Sequence, residues 1–502
     1  MADRAERHVR RVVTAVVLHG ALALALASDG RAQGVRVTGT TVVRYVELRP
    51  MITDSVRVED TIEGEGSLRL TSEGIVVRCV PGELFCRYRR TTEPVSTVPV
   101  IQDLEISAWG FGEGIQLYAQ LRGRTAMGDA TELWPLAEQE LQALAAYVEV
   151  DREIGRVRAG RQWITAGLGF YNFDGGAVLW RARPWLDLDV YGGWSLARAV
   201  NEPHTSDAIA AIEDLAPDKR ALVVGGIVRA RPTPRTSASL QYQREIRTDR
   251  GALYSDRIAV DAEHRLGRQA LVSGTAQLDL ASGNVNDARL RGRVPFPWYS
   301  GLALDAELRR YQPFFELWTI WGAFAPVGYS EASLGALLTR FDGRLSLQGR
   351  AAFRRYGDTG AGLNFDPLRD DGWRLSGDVA WRATPTIVAH AGLSTDIGFG
   401  AARSDADAGV RWEPNERVWL GARGTAFQTA YELRVGTGRV LGAGLDGGVR
   451  LFRDVRLAGD LAVYRQTFGD DAPATDWSQV RSSLRLEWTL GNDPGLSPER
   501  AP

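Results

Sequence analysis

From about Asp103 to Leu490 the chain repeats one unit: some ten residues of alternating polarity, a turn, and ten more. In the stretch from Leu271 to Leu280, the residues Val272, Gly274, Ala276, Leu278 and Leu280 fall on one side, and Ser273, Thr275, Gln277 and Asp279 on the other. Side chains on a strand point to opposite faces with period two, so each such segment has one oily and one wet face. The run from Leu302 to Arg309 repeats the pattern, with Leu302, Leu304, Ala306 and Leu308 opposed to Asp305, Glu307 and Arg309, and 345–354 and 373–382 follow it.

The turns carry a second signal. Short ones at 112–114, 152–155, 183–185, 232–234, 267–268, 295–298, 342–343, 384–385, 414–416 and 453–454 take turns with long loops near 125–140, 164–176, 197–219, 247–253, 312–329, 356–371, 398–404, 429–438 and 468–476. Tight turns at one end and long loops at the other, joining amphipathic strands, are the signature of a bacterial outer-membrane β-barrel. A soluble all-β sandwich is the alternative for regular strand spacing, but it has no reason to sort loop lengths by parity.

The start of the chain agrees. Arg4, Arg7, Arg10 and Arg11 precede an apolar run from Val12 to Ala27, with small residues at Ala27 and Ala32 where cleavage could follow. This reads as a secretory signal peptide, residues 1–32. No other stretch approaches the ~18 apolar residues that a spanning helix needs. The signal holds five arginines and three acids, so its loss moves the formal charge from −2 to −4. A nucleic-acid binder would need a basic excess instead.

The remaining residues would suit two or three soluble domains, yet no linker interrupts the repeat after residue 100. We expect an all-β, single antiparallel up-and-down barrel of about 22 strands (range ~18–24), even in number, with both termini periplasmic. Residues 33–100 read as a first strand (Val35 to Leu48) plus a long polar loop, 101–490 as the transmembrane barrel and 491–502 as a periplasmic tail. A closed sheet pairs every backbone N–H and C=O, which is how strands can cross lipid.

The outward series is Leu, Val, Ala, Gly and Ile, with Trp185, Trp298, Tyr299, Trp373, Trp381, Trp412 and Trp488 towards strand ends, fitting aromatic girdles. The inward series is charged. Arg156 and Arg158, then Arg289, Arg291 and Arg293, then Asp305, Glu307 and Arg309, with Arg350, Arg374, Asp378, Arg382, Asp405, Asp407 and Arg411, alternate onto one face. Facing lipid, each would cost ~2–4 kcal/mol near the midplane, so they are expected to line the lumen. Of the 60 basic residues only Lys219 is lysine. An arginine-lined pore attracting anions is one reading; arginines paired with acids across neighbouring strands, leaving little net field, is the other.

A barrel of this size needs something to narrow it, and residues 35–100 are too few for a globular plug. The candidates are inward-folded loops: Trp163 to Gly176, with Phe173 and Asp174, and Tyr311 to Tyr329, with Phe314, Phe315, Trp318 and Trp321. Arg161 breaks the parity of Arg156 and Arg158, so a bulge or the end of the membrane zone is expected there.

Gly160-Arg-Gln162, a glycine-rich stretch, then Phe173-Asp-Gly175 resembles the outer-membrane porins of the alginate-export type. That resemblance implies a passive channel for an anionic polymer or small hydrophilic solutes, its constriction lined by arginines and acids. It covers only about sixteen residues.

Cys79 and Cys86, flanking the turn Pro81-Gly82, read as a disulfide in an oxidising compartment. Metal binding would need further ligands, and no histidine lies nearby. Beyond the signal only His204, His264 and His390 occur, too scattered for a zinc pattern or a catalytic dyad. Gly442-Ala-Gly-Leu-Asp-Gly447 matches the dinucleotide fingerprint in letters, but sits in a strand-period segment with no helix after it. No catalytic residue, metal or cofactor is expected. Two further readings stay open: a barrel that sheaths or anchors a partner protein, and a barrel hydrolase, for which His390 is the one strand-borne candidate. A short helix is expected at 206–215, capped by Ser206. Expected partners are outer-membrane lipid and lipopolysaccharide, the barrel assembly machinery, and a lumen or periplasmic protein.

Overall fold

A computed structural model describes residues 34–49, 51–63, 69–72, 75–80, 82–128, 141–196, 221–247, 253–267, 270–312, 328–357, 371–398, 402–432, 436–469 and 476–491. The signal peptide, the candidate helix at 206–215, the tail beyond Gly491, and the candidates Trp318 and Trp321 with their loop lie outside them.

Alternating polarity over long stretches, cut by turn residues, produces a single 22-stranded antiparallel sheet closed on itself. From Val95–Trp109 onward each strand pairs with the next in sequence. The circuit closes at Gly34–Leu48, which pairs with Trp477–Gly491 on one side and Val95–Trp109 on the other. The strands span 10 to 17 residues, Leu186–Ser195 being among the shortest and Gly436–Phe452 the longest. All but three therefore exceed the expected ten. About 9–11 residues suffice to cross the hydrocarbon, so the ends project beyond it.

The apolar surface lies on the outside. Val178, Val190, Leu290, Leu308, Leu334, Leu375, Leu393, Leu445 and Leu484 are all half or more exposed, strand after strand. Trp185, Trp298, Tyr299, Trp381 and Trp412 are exposed near the short-turn end, and Trp373 near the other. Trp488 lies flat on its register partner Gly39, where a Cβ would come within 2.2 Å of the indole.

Loop length is sorted less strictly than the sequence suggests. The stretch 164–176 is not a long loop: Gly155–Ala166 and Gly169–Arg183 are joined by a two-residue turn. The connection between Ala270–Asp279 and Asn284–Pro295, on the same side, is also short, with four residues. The start of the barrel proper also shifts, since the closed sheet includes Gly34–Leu48 and resumes at Val95 rather than at 101.

The described residues between 49 and 94 form an insertion at the long-loop end. Met51–Arg57 pairs with Phe85–Thr91, and three short strands complete it. Cys79 and Cys86 are joined as a disulfide, with Cα atoms 4.2 Å apart. The Arg90 guanidinium, 2.7 Å from Asp54, holds that carboxyl below the usual carboxylate range.

Candidate functional site: a hairpin folded into the lumen

The strands Gly155–Ala166 and Gly169–Arg183 begin as ordinary wall. Pairing of the first with Leu141–Arg152 stops at Arg161 opposite Ala146, and pairing of the second with Leu186–Ser195 stops at Phe173 opposite Ser195. Past these points the two stay paired with each other but leave the sheet. Gly160, Gly175 and Gly193 are register partners in a row across the bend. Gly160 has φ +126°, and a Cβ on Gly175 would stand 2.1 Å from the Gly192 carbonyl oxygen. Glycine is required here because the backbones bend and touch.

The tip crosses to strands far round the wall. Leu168 donates its N–H to Gln241 Oε1 at 2.8 Å, and Gln277 Nε2 donates to the Gly167 carbonyl at 2.6 Å. A Cβ on Gly167 would fall 2.8 Å from that of Ala259. Gln241 and Ala259 sit midway along Thr236–Arg247 and Leu253–Leu266. The tip therefore rests at mid-depth inside the barrel. Bend to tip is six residues, about 20 Å at strand rise. Twenty-two tilted strands enclose a lumen roughly 40 Å across the backbone; the tip meets strands three to five places beyond Gly169–Arg183, so the hairpin lies as a chord across one side of it.

Both hairpin faces are packed. On one, Ile164, Tyr171 and Phe173 meet Tyr191, Val223 and Ile227 of the wall, all nearly inaccessible to solvent. Phe173 has no exposed surface, and its ring centroid is 5.7 Å from that of Tyr191. The Tyr191 hydroxyl accepts from Gln241 Nε2 and donates to Gln243 Oε1, so the apolar seat ends in a polar chain continuing to Glu245 and Ser255. On the other face Trp163 sits 5.9 Å from Tyr118 and 6.5 Å from Tyr147, which stack at 5.0 Å. The fork between Arg161 and Asp174, 2.7 and 3.0 Å, ties the two strands just past the bend. Arg161 also donates to the Ala143 carbonyl at 2.8 Å, on the strand whose pairing the hairpin has abandoned. The parity break at Arg161 marks this departure, a larger event than a bulge.

Beneath the hairpin is a cavity of about 180 Å³, lined in part by Arg156, Arg158, Gln162, Trp163, Asp189 and Arg229. Arg158 lies 2.5 Å and Arg156 3.6 Å from Glu149, Arg229 lies 3.5 Å from Asp189, and Arg158 stacks over Tyr147 at 4.3 Å. Three guanidiniums thus face two carboxylates. Gln162 Oε1 and Asp189 Oδ1 are buried acceptors with no partner. Each costs desolvation energy until a donor reaches it, so the cavity suits water or a solute bearing hydroxyl or N–H groups.

The other expected inward residues form ladders round the wall. Asp287 holds Arg289 at 2.5 Å and Arg309 at 3.0 Å. Asp305 is shared by Arg291, 3.8 Å away, and Arg350, which also approaches Glu307 at 3.8 Å. Arg374 meets Asp396 at 2.7 Å and Arg411 meets Glu413 at 2.6 Å. Among the described residues Arg293 and Asp378 have no ion-pair partner. The ladder reading therefore holds for most of these arginines, with local positive excess at Asp287, which two arginines share, at Arg293, and under the hairpin. His390 Nε2 is 3.5 Å from Asp407 in the lumen, half exposed. Sequence reasoning placed Gln277 on the wet face without a role and overlooked Tyr118, Tyr147, Asp189, Tyr191, Arg229, Gln241 and Gln243. Alternation placed the strand-borne ones on the wet face, but only folding of the hairpin distinguishes them from other lumen residues.

No family model matches the chain, and no curated protein sequence does. The resemblance of the Gly160 and Phe173 segments to alginate-export porins gains no support from either. Among solved structures, a BenF-like porin from Pseudomonas fluorescens Pf-5 aligns over 92% of this chain and 100% of its own at 10% identity, TM-score 0.41. OccAB2 of Acinetobacter baumannii covers 91% and 98% at 9% identity, TM-score 0.40. OccK1 (OpdK) of Pseudomonas aeruginosa covers 91% and 99% at 10%, TM-score 0.39. At these TM-scores the alignments carry no argument about fold or site, which rest on the geometry above.

Proposed function

We propose that this barrel is an outer-membrane channel for passive passage of small hydrophilic solutes, anions included, narrowed at mid-depth by the hairpin 161–174. The observation that carries the reading is the hairpin's seat. A two-strand element leaves the wall at a glycine row, cuts across one side of the lumen, and is fastened by side chains of Gln241 and Gln277. A barrel serving only as an anchor or a scaffold has no use for a fastened partial obstruction.

The lining supports solute passage. Charges on the inner wall are mostly paired, which stiffens the wall without creating a strong field. Under the hairpin the three arginines against two acids leave a local positive excess, and the unpartnered acceptors offer hydrogen bonds to a passing solute. Finer assignment to an alginate-type polymer would rest on the Gly160-Arg-Gln and Phe173-Asp-Gly match alone.

Purified protein in planar bilayers tests this. Discrete conductance steps are expected, with reversal potentials in a salt gradient favouring anions modestly. A folded barrel that stays electrically silent at all salts and voltages would defeat the reading.

A further inference from the structure

The outer wall carries a feature that conduction does not use. Ala288, Arg310, Ser330 and Arg355 are successive register partners across four strands near the long-loop end. All share the lipid-facing side, because the next row inward is Leu290, Leu308, Ala332, Phe353 and Trp373. The small residues Ala288, Ser330 and Ala332 leave a hollow of about 540 Å³ between the ridges of Leu290, Leu308 and Phe353. Arg310 and Arg355 are exposed at its upper edge. Among the described residues neither has an ion pair. The lumen arginines on the same strands, Arg289, Arg309 and Arg354, are all ion-paired.

An arginine on the lipid face costs ~2–4 kcal/mol at the midplane and ~0–1 kcal/mol near the interface. Two unpaired guanidiniums just above an apolar hollow thus sit where headgroup anions lie. They stand two strand spacings apart, about 10 Å, with the Ser330 hydroxyl between them. Guanidinium binds phosphate in a forked, charge-assisted geometry. The arrangement recurs where a hollow of about 530 Å³ beside Leu441 and Val463 lies under outward-facing Arg465, with Arg439 one row further out.

We propose that the hollow below Arg310 and Arg355 binds a phosphate-bearing outer-leaflet lipid of the lipopolysaccharide class, an acyl chain in the hollow and phosphate on the two guanidiniums. The second hollow does the same with Arg439 and Arg465. The choice of leaflet rests on the outer-membrane reading above.

Native mass spectrometry of the delipidated full-length barrel in detergent, titrated with lipid A, tests this. Wild-type protein is expected to hold two lipid A molecules, R310A/R355A one fewer, and neither protein to retain lipid A stripped of its phosphates. Equal adduct numbers in variant and wild type, equal retention of the phosphate-free lipid, or displacement of lipid A by inorganic phosphate alone would overturn the proposal. Heat-modifiable gel mobility confirms that the variant is a folded barrel. Its conductance should match wild type. A conducting barrel without phosphate-dependent lipid binding counts against this site only, and a lipid-binding but silent barrel counts against the channel only.

Discussion

Phe173→Ala isolates the hairpin seat from the barrel wall. Phe173 is fully buried, and its register partners Gln162 and Ser195 lie at the point where the hairpin leaves the sheet. Truncating a buried phenylalanine costs about 3–5 kcal/mol. The wall loses no strand pairing, so the loss falls on the equilibrium between seated and released hairpin. Even 3 kcal/mol shifts that equilibrium roughly 100-fold towards release. The two tip hydrogen bonds, through Gln241 and Gln277, contribute only about 1 kcal/mol each and cannot offset it. In planar bilayers the wild type is expected to show one steady level, and F173A repeated excursions to a larger one. Phe173→Leu, which keeps most of the volume, should stay near wild type. The reasoning fails if F173A runs as a folded, heat-modifiable barrel yet gives single-channel traces indistinguishable from wild type.

Other outcomes follow from the same geometry. Gly167→Cys with Ala259→Cys should form a disulfide on mild oxidation after the tip shifts by about 1 Å, since a Cβ on Gly167 lies 2.8 Å from that of Ala259 and 2.4 Å from Asp261 Oδ2 and a disulfide needs a Cβ separation of about 3.8 Å. The oxidised form should conduct like wild type; if no cross-link forms, the tip is not at mid-wall. Arg158→Gln leaves the nearly buried Glu149 with Arg156 at 3.6 Å and the Gln116 amide as its partners, removing about 1–3 kcal/mol of charged hydrogen bonding. Reversal potentials should then move towards cation preference, and an unchanged value would deny the local positive excess. Cys79→Ser with Cys86→Ser opens an eight-residue loop worth about 2–3 kcal/mol. Protease should cut the insertion faster while gel mobility of the barrel is unaltered; slower barrel folding would show that the insertion supports the wall.

Period-two polarity made the wall legible because lipid outside and water inside impose it on each strand separately. Gln277 and Asp279 faced the lumen as their alternation required, and Arg309 met Asp287 across neighbouring strands. The hairpin was harder to read. Its strands obey the same alternation as the wall, and its dense glycine and short turn looked like a long loop at 164–176. What directs it inward is a tertiary fit: Ile164, Tyr171 and Phe173 against Tyr191, Val223 and Ile227. No local pattern encodes that fit. Only the parity break at Arg161 and the concentration of glycine from Gly160 to Gly176 hinted at it. The outward arginines Arg310 and Arg355 obey the alternation too, but on the oily face, and stand out only once the face is fixed.

The hairpin's fastenings also set an order of events in biogenesis. Leu168 is held by a residue 73 positions downstream, and Gly167 by one 110 positions downstream. Whichever end of the chain enters the membrane first, the seat does not exist until Thr236–Arg247 and Ala270–Asp279 have joined the growing sheet. Where the chain enters from its N-terminal side, Phe173 and Tyr171 stay uncovered until Leu186–Ser195 and Ala221–Thr233, which carry Tyr191, Val223 and Ile227, have joined the wall. Non-local contacts of this kind form slowly. On that route the passage is narrowed only after the hairpin's own strands are in the wall, and mutations that weaken the seat would prolong the wider stage without preventing the barrel from being built.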